Sequence, residues 1–292
     1  MLNFVMMAKI SNYLSLIKFS HTIFALPFAL IGYFLALKLN QLPFDVYLFV
    51  KVLLCMVFAR SAAMAFNRYI DKDIDKANPR TAKVREIPNG TIHPKSALVF
   101  VILNVLLFIT TTYFINPLCF YLSPIALLVI LGYSLTKRFT VLCHLILGVG
   151  LSLAPIGAYL AVTGTFDWLP LFFSFTVLFW VSGFDIIYAL QDEDFDKAQQ
   201  LKSIPVAFGK KGALYVSNIL HFLTGVFILF AGYYGQFNSI YWIGSFIFIL
   251  LLIYQHFLVK PNDLSKVNLA FFTTNGIASV VYAVFVISSL YF

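Results

Sequence analysis

Charged residues are scarce in this sequence: only 11% of the 292 residues are Asp, Glu, Lys or Arg, whereas 61% are hydrophobic. The mean hydropathy is +0.90. An ordinary soluble domain is about one quarter charged, and a water-soluble core could not bury this much apolar surface. The scarcity of charge therefore excludes an ordinary soluble domain and predicts an integral membrane protein.

Cysteine is also rare. The three cysteines, Cys55, Cys119 and Cys143, fall in or near long apolar stretches, and no two of them have the Cys-x-x-Cys spacing. This arrangement argues against a disulfide framework and against a zinc site. We interpret all three as small buried apolar side chains.

Long apolar stretches dominate the remainder. A membrane-spanning helix needs about 20 predominantly apolar residues, and nine stretches meet this requirement. The connections between them are too short for a separate soluble domain, so we predict one all-α membrane domain over residues 1–292, with no cleavable signal peptide. The nine predicted spans are residues 12–38, 44–66, 96–115, 118–136, 140–162, 168–190, 212–234, 238–258 and 268–291.

Basic residues are concentrated at one end of the predicted spans, and only Lys38 and Lys51 lie at the other end. The positive-inside rule then places the N-terminus in the cytoplasm and the C-terminus outside the cytoplasmic (inner) membrane. The net charge of +8 is thus a topology signal, and we predict no nucleic-acid partner. The basic residues at the cytoplasmic end are Lys9, Lys18, Arg68, Lys72, Lys76, Arg80, Lys83, Arg85, Lys95, Lys137, Arg138, Lys197, Lys202, Lys210, Lys211, Lys260 and Lys266.

Acidic residues number only twelve, but most of them lie in two cytoplasmic connections, residues 67–95 and 192–211. These connections follow the second and the sixth predicted spans, and an even number of crossings puts both on the same membrane face. The arrangement suggests a duplicated unit related by an axis near the membrane normal. The two acidic segments are then able to face one another across a shared cavity.

Within these segments the acids follow helical spacing. Asn67, Asp71 and Asp75 are spaced i, i+4 and i+8 on one helix face. Asp192 and Asp196 are also i, i+4, and Tyr188 and Asp185 continue that stripe into the sixth span. Like charges at this spacing repel unless a cation joins them, and Mg²⁺ takes one or two carboxylates, with waters and phosphate oxygens completing its shell. Two facing carboxylate pairs therefore suit Mg²⁺ ions bridged by a diphosphate.

The alternative is that these acids are solvated loop charges. For Asp73, Glu193 and Asp194, which point off the stripes, that interpretation is as good as a metal role.

Basic and hydroxyl groups accompany the acids. Arg60 lies two helical turns before Asn67 in an apolar stretch, where an ionisable group is costly unless it faces a partner or a polar cavity. Its guanidinium suits bidentate binding of diphosphate oxygens, and the alternative is an internal salt bridge. Tyr133 and Lys137 are also spaced i, i+4, which suits a shared phosphate contact or a pair of anchors at the lipid interface.

These residues resemble the motifs of a known family. Asn67-Arg-Tyr-Ile-Asp71-Lys-Asp-Ile-Asp75 resembles the first Asp-rich motif of the UbiA superfamily of intramembrane prenyltransferases, and Asp185-Ile-Ile-Tyr188-Ala-Leu-Gln-Asp192-Glu-Asp-Phe-Asp196 resembles the second. The resemblance implies nine transmembrane helices around a central cavity capped by the two Asp-rich cytoplasmic loops. It extends over most of the chain, including Arg60, residues 78–81, residues 133–138, Lys202-Ser203 and Phe208-Gly209.

Site roles follow from the resemblance, position by position. It implies Mg²⁺ and diphosphate ligation by Asp71, Asp75, Asp192 and Asp196. It implies diphosphate contacts by Asn67, Arg60, Lys137 and Tyr133, of which Lys137 and Tyr133 are expected to serve catalysis. Tyr188 is expected to be a further substrate-binding residue. Arg138 is expected to face the carboxylate of an aromatic acceptor, and Asp185 to lie closest to the reacting carbon, where a carboxylate is able to remove the ring proton.

Two positions depart from the family pattern. Arg68 stands where many members have an aspartate, a feature shared with a menaquinone-associated branch, and the segment from Thr81 to Arg85 is one residue longer than usual. The first departure argues against a metal role at position 68, and the second leaves the role of Arg85 open. His21, near the cytoplasmic start of the first span, is either an acceptor contact or a packing histidine.

The resemblance implies transfer of a polyprenyl group from a polyprenyl diphosphate to a hydroxylated aromatic carboxylate, either 4-hydroxybenzoate or a dihydroxynaphthoate, in ubiquinone or menaquinone synthesis. Mg²⁺ is the expected cofactor, and the lipid bilayer receives the prenyl chain. A haem or chlorophyllide acceptor is an alternative within the enzyme class. A transporter or channel for divalent cations is the alternative from another class, and it predicts polar residues through the whole depth of the membrane.

Overall fold

The computed structural model describes residues 11–18, 22 and 24–292, and this part of the chain is helical apart from its connections. Eight of its helices are long and apolar enough to cross a membrane, so the chain is an all-α integral membrane protein. The helices are α1 (Leu26–Leu39), α2 (Val46–Ile70), α3 (Lys72–Ala77), α4 (Pro94–Tyr113), α5 (Pro117–Thr136), α6 (Cys143–Thr163), α7 (Trp168–Ala189), α8 (Glu193–Ala198), α9 (Ile204–Tyr234), α10 (Ser239–Leu258) and α11 (Asn275–Tyr291).

The first predicted span, residues 12–38, differs from the structure. Residues 11–16 are helical, but Lys18 has a positive φ of 45°, and α1 begins only at Leu26. Pro27 lies in the first turn of α1, where its missing N–H costs nothing, whereas inside a continuous helix it would break a hydrogen bond. α1 therefore has 14 residues and is not among the eight long helices.

Most other predicted spans agree with the helices to within a few residues. At the predicted start of the last span, residue 268, a π-helical turn over Leu269–Thr274 precedes α11, and the two together form the membrane span Leu269–Tyr291. α9 differs more, because it begins eight residues before the predicted start at residue 212. Gly209, with φ of 66° and ψ of 173°, interrupts α9 near its beginning. Residues other than glycine rarely adopt these backbone angles, so a glycine is required at this kink. The hydropathy pattern detects only the part of α9 beyond it.

Polar side chains fix several helix starts, because they accept hydrogen bonds from backbone N–H groups that have no partner within the helix. Asp45 accepts from the N–H groups of Tyr47 and Leu48 at 2.8 and 3.2 Å. Asn116, Asp167, Ser203 and Asn238 cap α5, α7, α9 and α10 in the same way.

α7 forms the centre of the packed core. Trp180 and Phe184 are almost fully buried, and the Trp180 ring packs against Phe28 of α1 and Phe248 of α10, with ring centroids 5.3 and 5.6 Å apart. Polar contacts reinforce this core, since the Trp180 indole N–H donates to Asn275 Oδ1 at 2.8 Å. In an apolar membrane interior such buried donors need a partner within the protein.

Two glycines allow close approach of neighbouring helices. A Cβ atom at Gly148 of α6 would lie inside the van der Waals radius of Ser182 Oγ and 2.5 Å from the Leu178 carbonyl oxygen, both on α7. A Cβ atom at Gly32 of α1 would overlap the carbonyl of Pro155 on α6, 2.8 Å from its carbon. These contacts hold α1, α6 and α7 together, as small residues do in membrane helix packing.

Candidate active site

A cavity of about 1280 Å³ lies within the helix bundle. One end is polar and is lined by the two Asp-rich segments, including Asn67, Asp71 and Asp192. The opposite end is lined by apolar side chains such as Ile115 and Phe166. The cavity thus combines a charged mouth with an apolar interior, which suits a ligand with an anionic head and a hydrocarbon tail.

Asp71 is the centre of a charged cluster at this mouth. It lies between α2 and α3, and only 2% of its surface is exposed. Lys137 Nζ lies 3.2 Å from Asp71 Oδ2, and Arg138 Nη2 lies 2.8 Å from Oδ1. Asn67 Nδ2 donates to Oδ2 at 3.2 Å. Residues predicted from two separate parts of the sequence therefore meet at one carboxylate.

The guanidinium of Arg138 has several partners within this cluster. Besides its ion pair with Asp71, it donates hydrogen bonds to the backbone carbonyl oxygens of Ser134 and Ile70 at 2.9 and 3.0 Å. The structure thus places its guanidinium on Asp71 and the end of α2.

Asp75, one turn after Asp71, is buried and forms an ion pair with Arg85. Its second oxygen, Oδ2, is buried and has no hydrogen-bond partner among the described residues. The role of Arg85 that the sequence left open is therefore a contact with the first Asp-rich motif. Arg68 is buried beside this pair and donates to Asn67 Oδ1 at 3.3 Å.

The two Asp-rich segments contact one another directly. Arg80, from the loop after the first motif, donates from Nε to Asp192 Oδ1 at 2.9 Å, and its Nη2 pairs with Asp192 Oδ2. Asn78 Nδ2 also donates to Asp192 Oδ1 at 3.1 Å, and Arg80 Nη1 donates to the Tyr188 hydroxyl at 3.0 Å. Both segments therefore lie at the same end of the bundle.

Arg80 remains charged in this position. Burial disfavours its cation, but the hydrogen bonds to Asp192 and Tyr188 outweigh burial and raise the pKa of the guanidinium above its usual range. A bidentate arginine on a carboxylate is also a strong and geometrically specific pairing.

Asp185 lies deeper in the cavity, on α7, one turn before Tyr188. Its Oδ2 lies 2.7 Å from Nδ1 of His144, in the first turn of α6. Both residues line the cavity. Sequence reasoning assigned no role to His144, since nothing in the spacing along the chain connects a residue of the fifth predicted span with one of the sixth.

Arg60 and Tyr133 line the cavity between the acidic mouth and the apolar interior. The Arg60 hydrogen bond that the structure shows runs from Nη2 to the carbonyl oxygen of Lys18 at 3.5 Å, and its Nε is buried without a partner among the described residues. No carboxylate in the described part of the chain lies within ion-pair distance of Arg60. The predicted alternative of an internal salt bridge is thus wrong within residues 11–18, 22 and 24–292.

The remaining predicted residues divide into three groups. Asp196 lines the cavity mouth with Asp192. Asp73 and Asp194 are exposed, in agreement with solvated loop charges. By contrast, Oε2 of Glu193 is buried and has no hydrogen-bond partner in the part of the chain that the structure describes. His21 lies outside the residues that the structure describes.

The carboxylates at the cavity mouth determine what kind of magnesium site the protein offers. Within the described ranges, no three Asp, Glu, His or Cys side chains converge closely enough to hold a metal ion by themselves. However, Mg²⁺ usually takes one or two carboxylates and completes its shell with water and phosphate oxygens. The buried, unpartnered Asp75 Oδ2 offers such a ligand, so the residues fit a magnesium site that substrate completes rather than an all-protein cage.

The spacing argument for a metal needs one correction. Like charges at i, i+4 require a nearby cation, and the structure supplies that cation with protein side chains for three of the four acids. Asp71 pairs with Lys137 and Arg138, Asp75 with Arg85, and Asp192 with Arg80. The spacing alone therefore does not require a metal ion.

The fold and the cavity define an integral membrane protein whose site suits an amphiphilic anion. Comparison with known families identifies the class further. Residues 25–277 match the model of the UbiA prenyltransferase family, and the chain belongs to this family.

Relatives named as 4-hydroxybenzoate octaprenyltransferases match most of the chain. It is 28% identical over 253 residues to the 4-hydroxybenzoate octaprenyltransferase of Francisella tularensis subsp. mediasiatica. The matched region covers 87% of this chain and 88% of the relative. It is 30% identical over 224 residues to the 4-hydroxybenzoate octaprenyltransferase of Tolumonas auensis, covering 77% and 78% of the two chains.

Solved structures have the same fold. A UbiA homolog from Aeropyrum pernix K1, in its apo form, matches with a TM-score of 0.78 and 28% identity over 92% of this chain and 96% of that one. A UbiA homolog from Archaeoglobus fulgidus, bound to GPP and Mg²⁺, matches with a TM-score of 0.75 and 21% identity over 96% and 99%.

Proposed function

We propose that this protein transfers a polyprenyl group from a polyprenyl diphosphate to a hydroxylated aromatic carboxylate, 4-hydroxybenzoate or a dihydroxynaphthoate, in quinone biosynthesis. The observation that carries the proposal is the direct contact between the two Asp-rich segments, through Arg80 and Asp192, at the polar mouth of an otherwise apolar cavity. The relatives in Francisella and Tolumonas support the same acceptor class.

The mouth is suited to binding a diphosphate. Lys137 and Arg80 are cations at its rim, Asn67 is a hydrogen-bond donor, and Tyr133 lines the cavity nearby. On substrate binding, these groups exchange part of their pairing with carboxylates for pairing with phosphate oxygens. Charge held in place in a site shielded from water stabilises the negative charge that develops on the leaving diphosphate.

Asp71, Asp75, Asp192 and Asp196 are the proposed ligands of Mg²⁺. When bound there, Mg²⁺ would act as a Lewis acid on the diphosphate oxygens. A protein with the same fold, the UbiA homolog from Archaeoglobus fulgidus, was solved with GPP and Mg²⁺, which supports Mg²⁺ as the proposed cofactor.

The apolar part of the cavity is the proposed site of the prenyl chain. Phe184, Phe271 and Tyr188 present aromatic rings near the mouth, and the Tyr188 and Phe271 ring centroids are 4.3 Å apart. Aromatic faces stabilise a nearby cation, so these rings suit an allylic carbocation in a dry environment. A chain longer than the cavity reaches the lipid between the helices, because transfer of each CH₂ group into water would cost about 0.8 kcal/mol.

Arg60 is the better candidate for the carboxylate of the acceptor. The guanidinium of Arg138, to which the family resemblance gives this role, is committed to Asp71 and two backbone carbonyls. Arg60 faces the cavity without an anionic partner in the described chain, and a buried guanidinium without one is costly. Asp185, deeper than the diphosphate groups, is the proposed acceptor of the ring proton.

The finer topology is also proposed. The charge distribution supports a cytoplasmic N-terminus and a site that faces the cytoplasm. α1 would then be part of a ninth crossing, and its burial on most sides explains how a short helix lies within the bundle without spanning the lipid by itself. The whole chain, residues 1–292, forms one prenyltransferase domain.

Mass spectrometry of reaction products tests the proposal. Purified protein in lipid nanodiscs is incubated with Mg²⁺, a polyprenyl diphosphate and either 4-hydroxybenzoate or 1,4-dihydroxy-2-naphthoate. We expect a carbon-prenylated product with one of the two acids and none with the Asp192→Asn variant. Absence of a product with both acids would contradict the proposed acceptor class.

A further inference from the structure

His144 forms the closest polar contact of Asp185, yet no part of the proposed function uses it. Its Nδ1 lies 2.7 Å from Asp185 Oδ2. The imidazole side chain is 4% exposed and the Asp185 side chain 23% exposed. The histidine is therefore behind the carboxylate, and the carboxylate is the more accessible member of the pair.

The role of Asp185 as a base determines how the pair is arranged. A carboxylate that accepts a proton must be ionised, and an ionised carboxylate only accepts hydrogen bonds, so in this role His144 Nδ1 carries the hydrogen and donates it to Asp185 Oδ2. This leaves Oδ1 as the second oxygen of Asp185. It also leaves Nε2 of a neutral imidazole without a hydrogen.

Packing alone does not explain a histidine at this position. Nε2 is buried and has no hydrogen-bond partner among the described residues. An unsatisfied buried polar group costs about 1–3 kcal/mol, and an apolar side chain of similar size would avoid that cost. The gain that offsets it is the bond from Nδ1 to Asp185.

The approach of α6 to α7 brings the two groups together. Gly148 follows His144 by one turn, and its missing side chain allows contact with Ser182 and Leu178 on α7. Asp185 lies one turn beyond Ser182, so the two contacts are on the same pair of helix faces.

We propose that His144 is a positioning residue for Asp185, holding its carboxylate through Oδ2 so that Oδ1 takes the ring proton of the aromatic acceptor. The proposal rests on the proposed prenyl transfer. In that reaction a π electron pair of the ring forms the new C–C bond, and the C–O bond to diphosphate breaks with its electron pair leaving on the diphosphate. The ring C–H bond then breaks, its electrons restore the aromatic ring, and the proton goes to Asp185 Oδ1.

Three substitutions separate this role from a structural one. His144→Asn places an amide N–H near the position of Nδ1, His144→Gln places one near Nε2, and His144→Phe retains a ring without a donor. The readouts are kcat, KM for the polyprenyl diphosphate, and the kinetic isotope effect with an acceptor deuterated at the ring carbon that is prenylated.

We expect kcat of the Phe and Gln variants to fall on the order of 10²-fold, the size of a general-base contribution, while KM for the diphosphate stays near the wild-type value. The isotope effect in these variants should rise above that of the wild type, because proton removal becomes slower. The Asn variant should recover most of kcat and a wild-type isotope effect.

Recovery by Gln but not by Asn would overturn the proposal, since it would make Nε2 the functional atom. A wild-type kcat and isotope effect in the Phe variant would overturn it as well. If the Phe variant does not fold, the comparison of Asn with Gln decides alone. A failure of the proposed function is distinct, because the wild-type protein would then form no prenylated product at all.

Discussion

Replacement of Gly148 by alanine tests whether the contact between α6 and α7 sets the geometry of the site. The added Cβ would lie 2.5 Å from the Leu178 carbonyl oxygen, whereas favourable contacts between heavy atoms begin at about 3.5 Å. This oxygen belongs to the backbone and is not able to rotate away, so the two helices must separate by about 1 Å. Overpacking of this kind costs about 1–3 kcal/mol.

The same separation would lengthen the bond between His144 and Asp185, now 2.7 Å, to about 3.7 Å, beyond the range of a hydrogen bond. We therefore expect Gly148→Ala to lower both the thermal unfolding temperature and kcat. The assays are thermal unfolding in detergent, followed by intrinsic fluorescence, and product formation under saturating substrates.

Gly132→Ala on α5 is the matched control. A Cβ atom at Gly132 meets no atom within 4 Å, and alanine in a helix interior is more favourable than glycine by about 0.5–1 kcal/mol. The control should thus be neutral or stabilising, with unchanged activity. A Gly148→Ala protein as stable and active as this control would refute the argument that close approach of α6 and α7 positions the site.

Three other substitutions test separate contacts. Gly32→Ala should lower the unfolding temperature in the same assay, because its Cβ would overlap the backbone carbonyl of Pro155; an unchanged temperature would contradict this packing. Arg80→Lys keeps the charge but loses the bidentate bond to Asp192, and we expect a rise of several fold in KM for the diphosphate, whereas an unchanged KM would remove Arg80 from the diphosphate site. Trp180→Phe loses a buried indole donor and packing volume and should cost about 2–4 kcal/mol in detergent unfolding; a cost below about 1 kcal/mol would show that the hydrogen bond contributes little.

Much of the helical architecture could be predicted from the sequence, because apolar stretches of membrane-spanning length are a strong signal. Their ends were also predictable where a cap residue such as Asp167 precedes the stretch. The first span was less predictable. Hydropathy continues through residues 12–38, but Lys18 adopts a positive φ and the ring of Pro27 fixes its own φ, and a hydropathy average detects neither feature.

The acidic half of the candidate site was predictable from i, i+4 spacing, whereas its pairing was not. The spacing places Asp71 and Asp75 on one face, but contacts with Lys137 and Arg85 depend on loops and on a neighbouring helix. A role for His144 could not be predicted from the sequence for the same reason, because its contact with α7 arises only from helix packing.

Release of diphosphate from a polyprenyl diphosphate tests the central claim most directly. Purified wild-type protein and the Asp192→Asn variant, both shown to be folded, are compared in nanodiscs with Mg²⁺ and with EDTA. We predict that the wild type releases diphosphate with Mg²⁺ and an aromatic acceptor, and that both EDTA and the Asp192→Asn substitution abolish the release. Equal release in EDTA, or a wild-type rate in the variant, would contradict the claim that the two Asp-rich segments together hold Mg²⁺ and the diphosphate.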